Sequence, residues 1–469
     1  MYSGAQLELK EAPEGFELLP DCTGAMDELE ELVYEKARKK YGDVLPDEVA
    51  ARISKELDMI PSESYAKYLL LRAELAASEV LSDGKWFCRA SGDNSFVCYL
   101  LGVTNLDPLS RETAGFTLEP ESFFGVNWKS NSPTLDINCR RTKEKGIEKA
   151  LLGISWVKDV VLASSPLDGP LTLKKYVVIP EGVDMEKVPI ITLDSGERVL
   201  GYHWCSFDTS KVFMVCVNGT DRLDIIAAAE EATGVHYEDM DPADPKVAAI
   251  LTDKGVGLGA FMDVDSEYLT DILDRVSIHS VSDLATVFAL LTSNYAWYDN
   301  LKYLLDKGVI GQDDLVASRD QCYEYLKNHG VEKEDALRIA DLVRTGKPLV
   351  ESDQFVLEKS DVPDWFFGFA DKVRYLYPYA AAFNNAKAIW EQAYFTAHYP
   401  DEYKSVVKDL ESNLMRTYTI FAKFESGRLE ETTVRSPKPS NRVAFEFVQG
   451  LEKQYPTDEL VSVDIQTEY

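Results

Sequence analysis

At 469 residues and 45% hydrophobic content, the chain is long enough for two or three globular domains. With 80 acidic against 49 basic residues and a formal charge of −31, it lacks the cationic balance of a protein that grips duplex nucleic acid over its whole surface. No run of about 18 apolar residues occurs and no basic-then-apolar leader stands at Met1, which excludes a membrane partner of the spanning kind and points to a cytoplasmic chain.

An irregular leader runs over residues 1–22. Apolar residues Leu29, Leu32, Val33 and Ala37 then recur at helical spacing, predicting a helix over 27–40, with others over 46–57 and 62–81. From residue 85 short apolar runs broken by turn residues predict strands or buried segments at 86–88, 96–100, 135–137, 176–180 and 212–217. After Asp224 alternating helices and short loops extend to about residue 399, and 417–422 reads as a strand, followed by a linker at 436–440 and a last helix. The segments are therefore 1–22, 23–84, 85–224, 225–405 and 406–469. From Asp224 to Asn300 there are 15 acids against Lys246, Lys254 and Arg275, a net charge of −12 that repels phosphates unless it faces away from them.

The seven cysteines (Cys22, Cys88, Cys98, Cys139, Cys205, Cys216 and Cys322) form no C-x-x-C pair, so neither zinc nor a disulfide framework is expected. None of the five histidines stands at metal-ligand spacing, and none is assigned chemistry.

The segment Pro133-Thr134-Leu135-Asp136-Ile137-Asn138 carries the chemical interest. Metal-dependent nucleotidyl transfer uses carboxylates that hold two divalent cations a few ångströms apart. Asp-x-Asp on a strand suits this, because side chains two apart leave the same face and a third Asp from a neighbouring strand completes the cage. Here Thr134 takes the first position, and a neutral hydroxyl does not bridge two Mg2+ ions as a carboxylate does.

Other segments join this motif in a collinear pattern. Pro20 to Leu29, the loop Arg89-Ala90-Ser91-Gly92-Asp93-Asn94-Ser95-Phe96-Val97, the run Gly102 to Leu109, Arg222-Leu223-Asp224-Ile225, Val343-Arg344-Thr345-Gly346-Lys347, Asp361 to Trp365 and Lys372 to Pro378 occur in order. Together they resemble the polymerase core of the PolC-type DNA polymerase III alpha subunit of bacteria, over about residues 20–405. The resemblance implies an α+β fold: a polymerase-beta-like nucleotidyltransferase palm with a mixed sheet, preceded by helices and followed by a mainly helical fingers domain. It implies metal-ligand positions at Asp136 and Asp224, phosphate contacts from Arg89, Ser91 and Ser95, and nucleic-acid contacts from Arg344, Lys347, Lys372 and Arg374, with Mg2+ as the cofactor of an active enzyme. Arg140, Arg141, Lys143 and Lys145 form a second basic set.

The chain departs from the family pattern where the chemistry sits. Thr134 replaces the first acid, and Asp93 and Asn94 replace a Gly and a Ser of the phosphate loop. Only 88 positions separate Asp136 from Asp224, too few for the family's thumb, and its Q-H-P-G-G segment and zinc-binding cysteine insert are missing. In the fingers, Pro378-Tyr379-Ala380-Ala381-Ala382-Phe383 stands where the family's P-K-A-H-A-A-A-Y turns a Lys and a His toward the nucleotide. Ala386, Ile389, Trp390, Ala393, Tyr394 and Ala397 nevertheless keep a helical packing face. Losing one charge-stabilising group commonly costs about 10²–10³ in rate, and several are lost together. The expectation is a catalytically inactive core, kept as a binding or regulatory protein with a protein partner in a replication complex and weak contact with DNA. The alternatives are an active nucleotidyltransferase in which Asp107 or Glu121 replaces the missing ligand, and an acidic mimic of DNA.

Overall fold

The computed structural model describes residues 9–110, 115–116, 118–125, 134–164, 174–193, 196–253, 257, 267–413, 416–436, 440–455 and 460–468. Pro133, most of the 164–178 segment and the centre of the 436–440 linker lie outside the described residues. Two compact units emerge, residues 1–224 with 267–388 and residues 225–266 with 389–469, so the segment 225–405 is shared between them.

The first unit is built on a mixed sheet of seven strands, in keeping with the α+β class: β1 (Trp86–Cys88), β2 (Ile137–Arg140), β3 (Val157–Ser164), β4 (Lys174–Pro180), β5 (Ile190–Thr192), β6 (Arg198–His203) and β7 (Met214–Thr220), in the order β1-β2-β7-β4-β3-β6-β5. The pairs β2/β7 and β3/β6 are parallel and the rest antiparallel. Between Asp136 and the helix that begins at Asp221, the described chain contributes strands to this sheet and a single α-helix, Arg141–Leu152, rather than a separate helical lobe.

The three helices predicted at the N-terminal side are Ala25–Tyr41, Asp47–Met59 and Glu63–Ala76. Asp27 and Glu28 in the first turn of the first helix and Arg38, Lys39 and Lys40 in its last complement the helix dipole. The Ser62 hydroxyl caps the third by accepting from the Tyr65 N–H at 3.2 Å. Their apolar stripes, Leu29, Val33, Ile53 and Leu69 among them, form one core with Ile137, Cys139, Tyr176, Val178, Val215 and Val217 on one face of the sheet. The opposite face is apolar only toward its β4-β3-β6 side, where Val161, Ala163, Val177, Ile179 and Leu200 pack with Leu18, Phe207 and Val212.

Three local readings change in the structure. Residues 96–100, read as a strand or buried segment, form a short helix because Ser95 caps it, its hydroxyl accepting from the Cys98 N–H at 3.1 Å. The strand expected at 135–137 begins only at Ile137, and the one expected at 212–217 lies at 214–220.

The helical part of this unit includes Val281–Thr292, Arg319–Asn328, Lys333–Arg344, Glu351–Glu358 and Trp365–Lys372, around fully buried Trp297, Phe366 and Phe369. The helix Tyr379–His398 carries the packing face read from the sequence, with Ala386, Ile389, Trp390 and Ala393 fully buried. In the second unit Ala229, Met240 and Phe395 form a small core. An antiparallel sheet of β8 (Arg416–Phe424), β9 (Leu429–Ser436) and β10 (Leu460–Glu468), in the order β10-β8-β9, packs Tyr418 and Ile420 against Val443 of the helix Ser440–Gln454.

Candidate functional site

The residues of interest meet on the half of the sheet face that the second core leaves uncovered. Along β7 burial alternates strictly, with Met214, Cys216, Asn218 and Thr220 half-exposed and the residues between them buried. This is the period-two signature of a strand with one covered face. Ile137 pairs with Val217 in parallel register, so Asp136, one residue earlier, stands opposite Cys216. Cys216 in turn pairs with Lys175 of β4, and on the other side the Arg89 N–H donates to the Asp136 carbonyl at 3.0 Å. The sheet therefore carries a row in the order Arg89, Asp136, Cys216, Lys175. One register step on, Asn218 donates to the Asn138 side-chain carbonyl at 2.8 Å.

This row contains one carboxylate. Burial, together with the negative charge of the nearby Asp136 carboxylate, pushes the Cys216 thiol up to about 12, so it stays protonated at neutral pH. The Lys175 ammonium sits 3.3 Å from the centre of the Trp204 ring, a close cation–π contact at the edge of the row. Thr134 is exposed. Beneath, the buried Arg72 guanidinium donates to the Leu135 carbonyl at 2.5 Å and to the Tyr68 hydroxyl at 3.3 Å, which fixes the backbone just before Asp136.

Asp224 is held elsewhere. It lies in the first turn of the helix Asp221–Thr233, past the end of β7, whereas Asp136 precedes the start of β2. The four residues of β2 alone span about 13 Å at a strand's rise per residue, against roughly 4 Å between paired catalytic metals. The structure does not bring the two carboxylates together. Asp224 is 1% exposed and accepts from Arg140 Nε at 2.9 Å, from the Thr142 hydroxyl at 2.5 Å and from the Thr142 N–H at 3.2 Å. Arg140 also pairs with Asp83 at 3.1 Å and Arg141 with Asp221 at 2.5 Å, so half of that basic set is neutralised by neighbouring acids. Asp107 accepts from the Leu109 N–H in a local turn, and Glu121 pairs with Lys55 at 2.6 Å. Among the described residues no group of three or more His, Cys, Asp or Glu side chains is arranged to hold a metal ion. One carboxylate, a protonated thiol and flanking Arg and Lys side chains do not fit Mg2+, which requires several hard anionic oxygens.

The loop expected to hold phosphate is filled from within. Gly92 is wedged so tightly that a Cβ there would lie 2.5 Å from Leu135 Cδ2 and 2.9 Å from Cys88 Sγ. Beyond it Ser95 is buried, and its hydroxyl donates to Glu56 at 2.7 Å. The same carboxylate accepts from the N–H groups of Phe96 at 2.8 Å and Val97 at 2.9 Å and from Arg52 Nε at 2.6 Å. The donors that an incoming phosphate would use at this helix start are thus already bound. Asp93 is fully buried, accepting from the Leu106 N–H at 3.2 Å and from Asn384 Nδ2 at 2.9 Å, and burial pushes its carboxyl up to about 7. Asn94 donates to Asp320 at 2.8 Å. Of the expected phosphate contacts, Arg89 and Ser91 remain half-exposed.

In the helical part, Tyr379 and Phe383 are buried, Tyr379 against Phe116 with ring centres 5.5 Å apart. The loops carrying Arg344, Lys347 and Arg374 meet: the Leu376 N–H donates to the Arg344 carbonyl at 3.2 Å, and Gly346 lies against the Arg374 backbone. Lys372 donates to the Asp299 carbonyl at 2.5 Å. Sequence reasoning brought Asp136 and these cations forward but missed Cys216 and Lys175. The strand run containing Cys216 was visible, yet only the register reveals what stands opposite.

Residues 27–152 match the family model described as the bacterial DNA polymerase III alpha NTPase domain. The chain is 23% identical to DNA polymerase III PolC-type of Halalkalibacterium halodurans over 81% of its length and 33% of that protein's. It is 22% identical to the namesake from Caldanaerobacter subterraneus over 84% of its length and 35% of that protein's, and 21% identical to that of Clostridium perfringens over 82% and 33%. The chain spans about a third of the length of these curated relatives. The chain is thus similar to PolC-type DNA polymerase III over about four fifths of its length, which supports a PolC-like core.

Proposed function

We propose that this DNA polymerase-related chain has lost nucleotidyl transfer and acts by binding, as a partner or regulator in DNA replication. The observation that carries the reading is the row Arg89, Asp136, Cys216, Lys175. At the site where two cations would need three converging carboxylates there is one, opposite a thiol and between two basic side chains. Asp224, the candidate third acid, is engaged by Arg140 and Thr142 at the other end of the strands. In this reading Cys216 occupies the third-acid position and Asp224 is a structural residue.

The phosphate loop supports the same conclusion. Glu56 already takes up the N–H groups at the start of the helix Phe96–Leu100, and Asp93 places a second acid behind them. A triphosphate entering there would meet negative charge instead of free donors. Tyr379 and Phe383 are buried and carry neither the ammonium nor the imidazole that the family pattern turns toward a nucleotide.

Calorimetric titration with Mn2+ tests the assignment of Cys216. The wild-type chain binds no stoichiometric Mn2+ that depends on Asp136, whereas Thr134→Asp combined with Cys216→Asp creates a divalent-cation site that Asp136→Ala then abolishes. Mn2+ binding by the wild type that is lost in Asp136→Ala would overturn the reading.

A further inference from the structure

We propose that β9, an edge strand of the three-stranded sheet in the second unit, pairs antiparallel with β9 of a second copy of this chain about a two-fold axis at Thr433, joining the two sheets into one. The surface lies apart from the sheet row of the first unit and stands whether or not that row transfers nucleotides.

The first observation is an edge left open. β9 reads Leu429-Glu430-Glu431-Thr432-Thr433-Val434-Arg435-Ser436 and follows β8 without a register shift, while no described strand pairs with its other side. Soluble proteins blunt such edges with shortness, Pro, Lys or a bulge. β9 runs for eight residues with no Pro, no Lys and no bulge.

The second observation is which backbone groups point outward. At the hairpin end the Phe424 N–H donates to the Arg428 carbonyl at 3.0 Å. Hydrogen-bonded and non-hydrogen-bonded pairs alternate along an antiparallel ladder, so Glu430, Thr432 and Val434 exchange their bonds with β8. Leu429, Glu431, Thr433 and Arg435 therefore turn N–H and C=O toward the open edge. The side chains of Glu431, Thr433 and Arg435 are exposed, on the face opposite the one where Tyr418 and Ile420 of β8 meet the helix Ser440–Gln454. The Thr433 hydroxyl lies 3.3 Å from that of Thr419 on β8, which leaves its backbone groups free for the edge.

The third observation is charge, and it names the occupant. With Thr433 opposite Thr433 of the second copy, Glu431 faces Arg435 of that copy and Arg435 faces its Glu431, so opposite charges meet twice in hydrogen-bonded pairs. On the other face Val434, which is exposed, comes to lie against Thr432 of the second copy in the closer, non-hydrogen-bonded kind of pair. Centring the axis on Glu431 or on Arg435 sets that charge against itself, and centring it on Thr432 sets Glu431 against a threonine and Arg435 against Leu429. β10, the other edge, carries Asp464 and Glu468 and no basic residue, so it offers no such match with itself.

The test is sedimentation equilibrium of the full chain, from about 1 to 100 μM at physiological salt, a range that brackets a weak dimer. The wild type is expected to pass from monomer to dimer. Glu431→Arg alone sets arginine against arginine and Arg435→Glu alone sets glutamate against glutamate, so each should weaken the dimer about tenfold or more, whereas mixing these two variants should restore it as a heterodimer. Thr433→Pro removes an outward N–H that β8 does not use and should abolish pairing; the charge variants keep the proposal testable should the proline disturb the strand. A wild type that stays monomeric throughout, a dimer unchanged by the single charge reversals, or a mixture that associates no better than its components would each overturn it.

Discussion

In the proposed reading, Cys216 changes the chemistry of a site while leaving its architecture in place. On the same strand and in the same register a carboxylate would face Asp136, but the thiol there is held protonated by burial and by the charge of Asp136 itself. Asp93 makes the complementary point inside the loop of residues 89–97. Its carboxyl is pushed by burial from 3.8 to about 7, so the folded chain binds a proton more tightly than the unfolded one. The sign follows: the stabilising protonation is complete below the unfolded value and is lost as pH rises through about 7. Urea unfolding followed from pH 4 to pH 8 should therefore show a fall in stability on the order of 3 kcal/mol attributable to this group, and Asp93→Asn should remove that part of the slope. Glu56 is a buried carboxylate with four donors. Glu56→Ala strands Arg52 and two N–H groups, and should lower stability by about 3–5 kcal/mol in the same assay.

At the scale of elements, a chain reading finds helices and strands by period but not their partners. The helix Tyr379–His398 was legible because its apolar face repeats every three to four residues. The segment 96–100 was not, because its five residues are too short for a period, and its helical state is decided by Ser95 and by Glu56 from forty residues upstream. Strand β3 went unread because Val157-Lys158-Asp159-Val160 breaks the alternation before the apolar stretch begins. Asp136 was a candidate ligand through the resemblance of its motif, whereas its facing residue is fixed by the parallel pairing of β2 and β7, which no short motif encodes. The loop contact at Gly346 is likewise invisible in sequence. With φ +64°, and a Cβ position only 2.8 Å from the Arg374 Cα, Gly346→Ala must both strain and displace backbone. It should cost about 2 kcal/mol or more in chemical unfolding, whereas Gly368→Ala, which meets nothing within 4 Å, should cost little.

At the scale of the whole molecule, the charge of −31 sets the background against which any binding occurs. Self-repulsion of this size weakens the compact state and is screened by salt, so the melting temperature should rise as sodium chloride is raised from low concentration to about 0.5 M, where the screening length falls below about 5 Å. The acids are not confined to a tail: Asp224 to Asn300 alone carries a net of −12. In the proposed reading, a PolC-like core over four fifths of the chain, a sheet row with one carboxylate and a loop closed by Glu56 together describe a fold preserved after its chemistry was removed.

Primer extension tests that claim most directly. A primed template with deoxynucleotides and Mg2+ or Mn2+ is incubated with the wild-type chain and with Asp136→Ala, each at high enzyme concentration. The account predicts no extension by either protein. Extension by the wild type that disappears in Asp136→Ala would contradict it and show that the sheet face still assembles a working metal site.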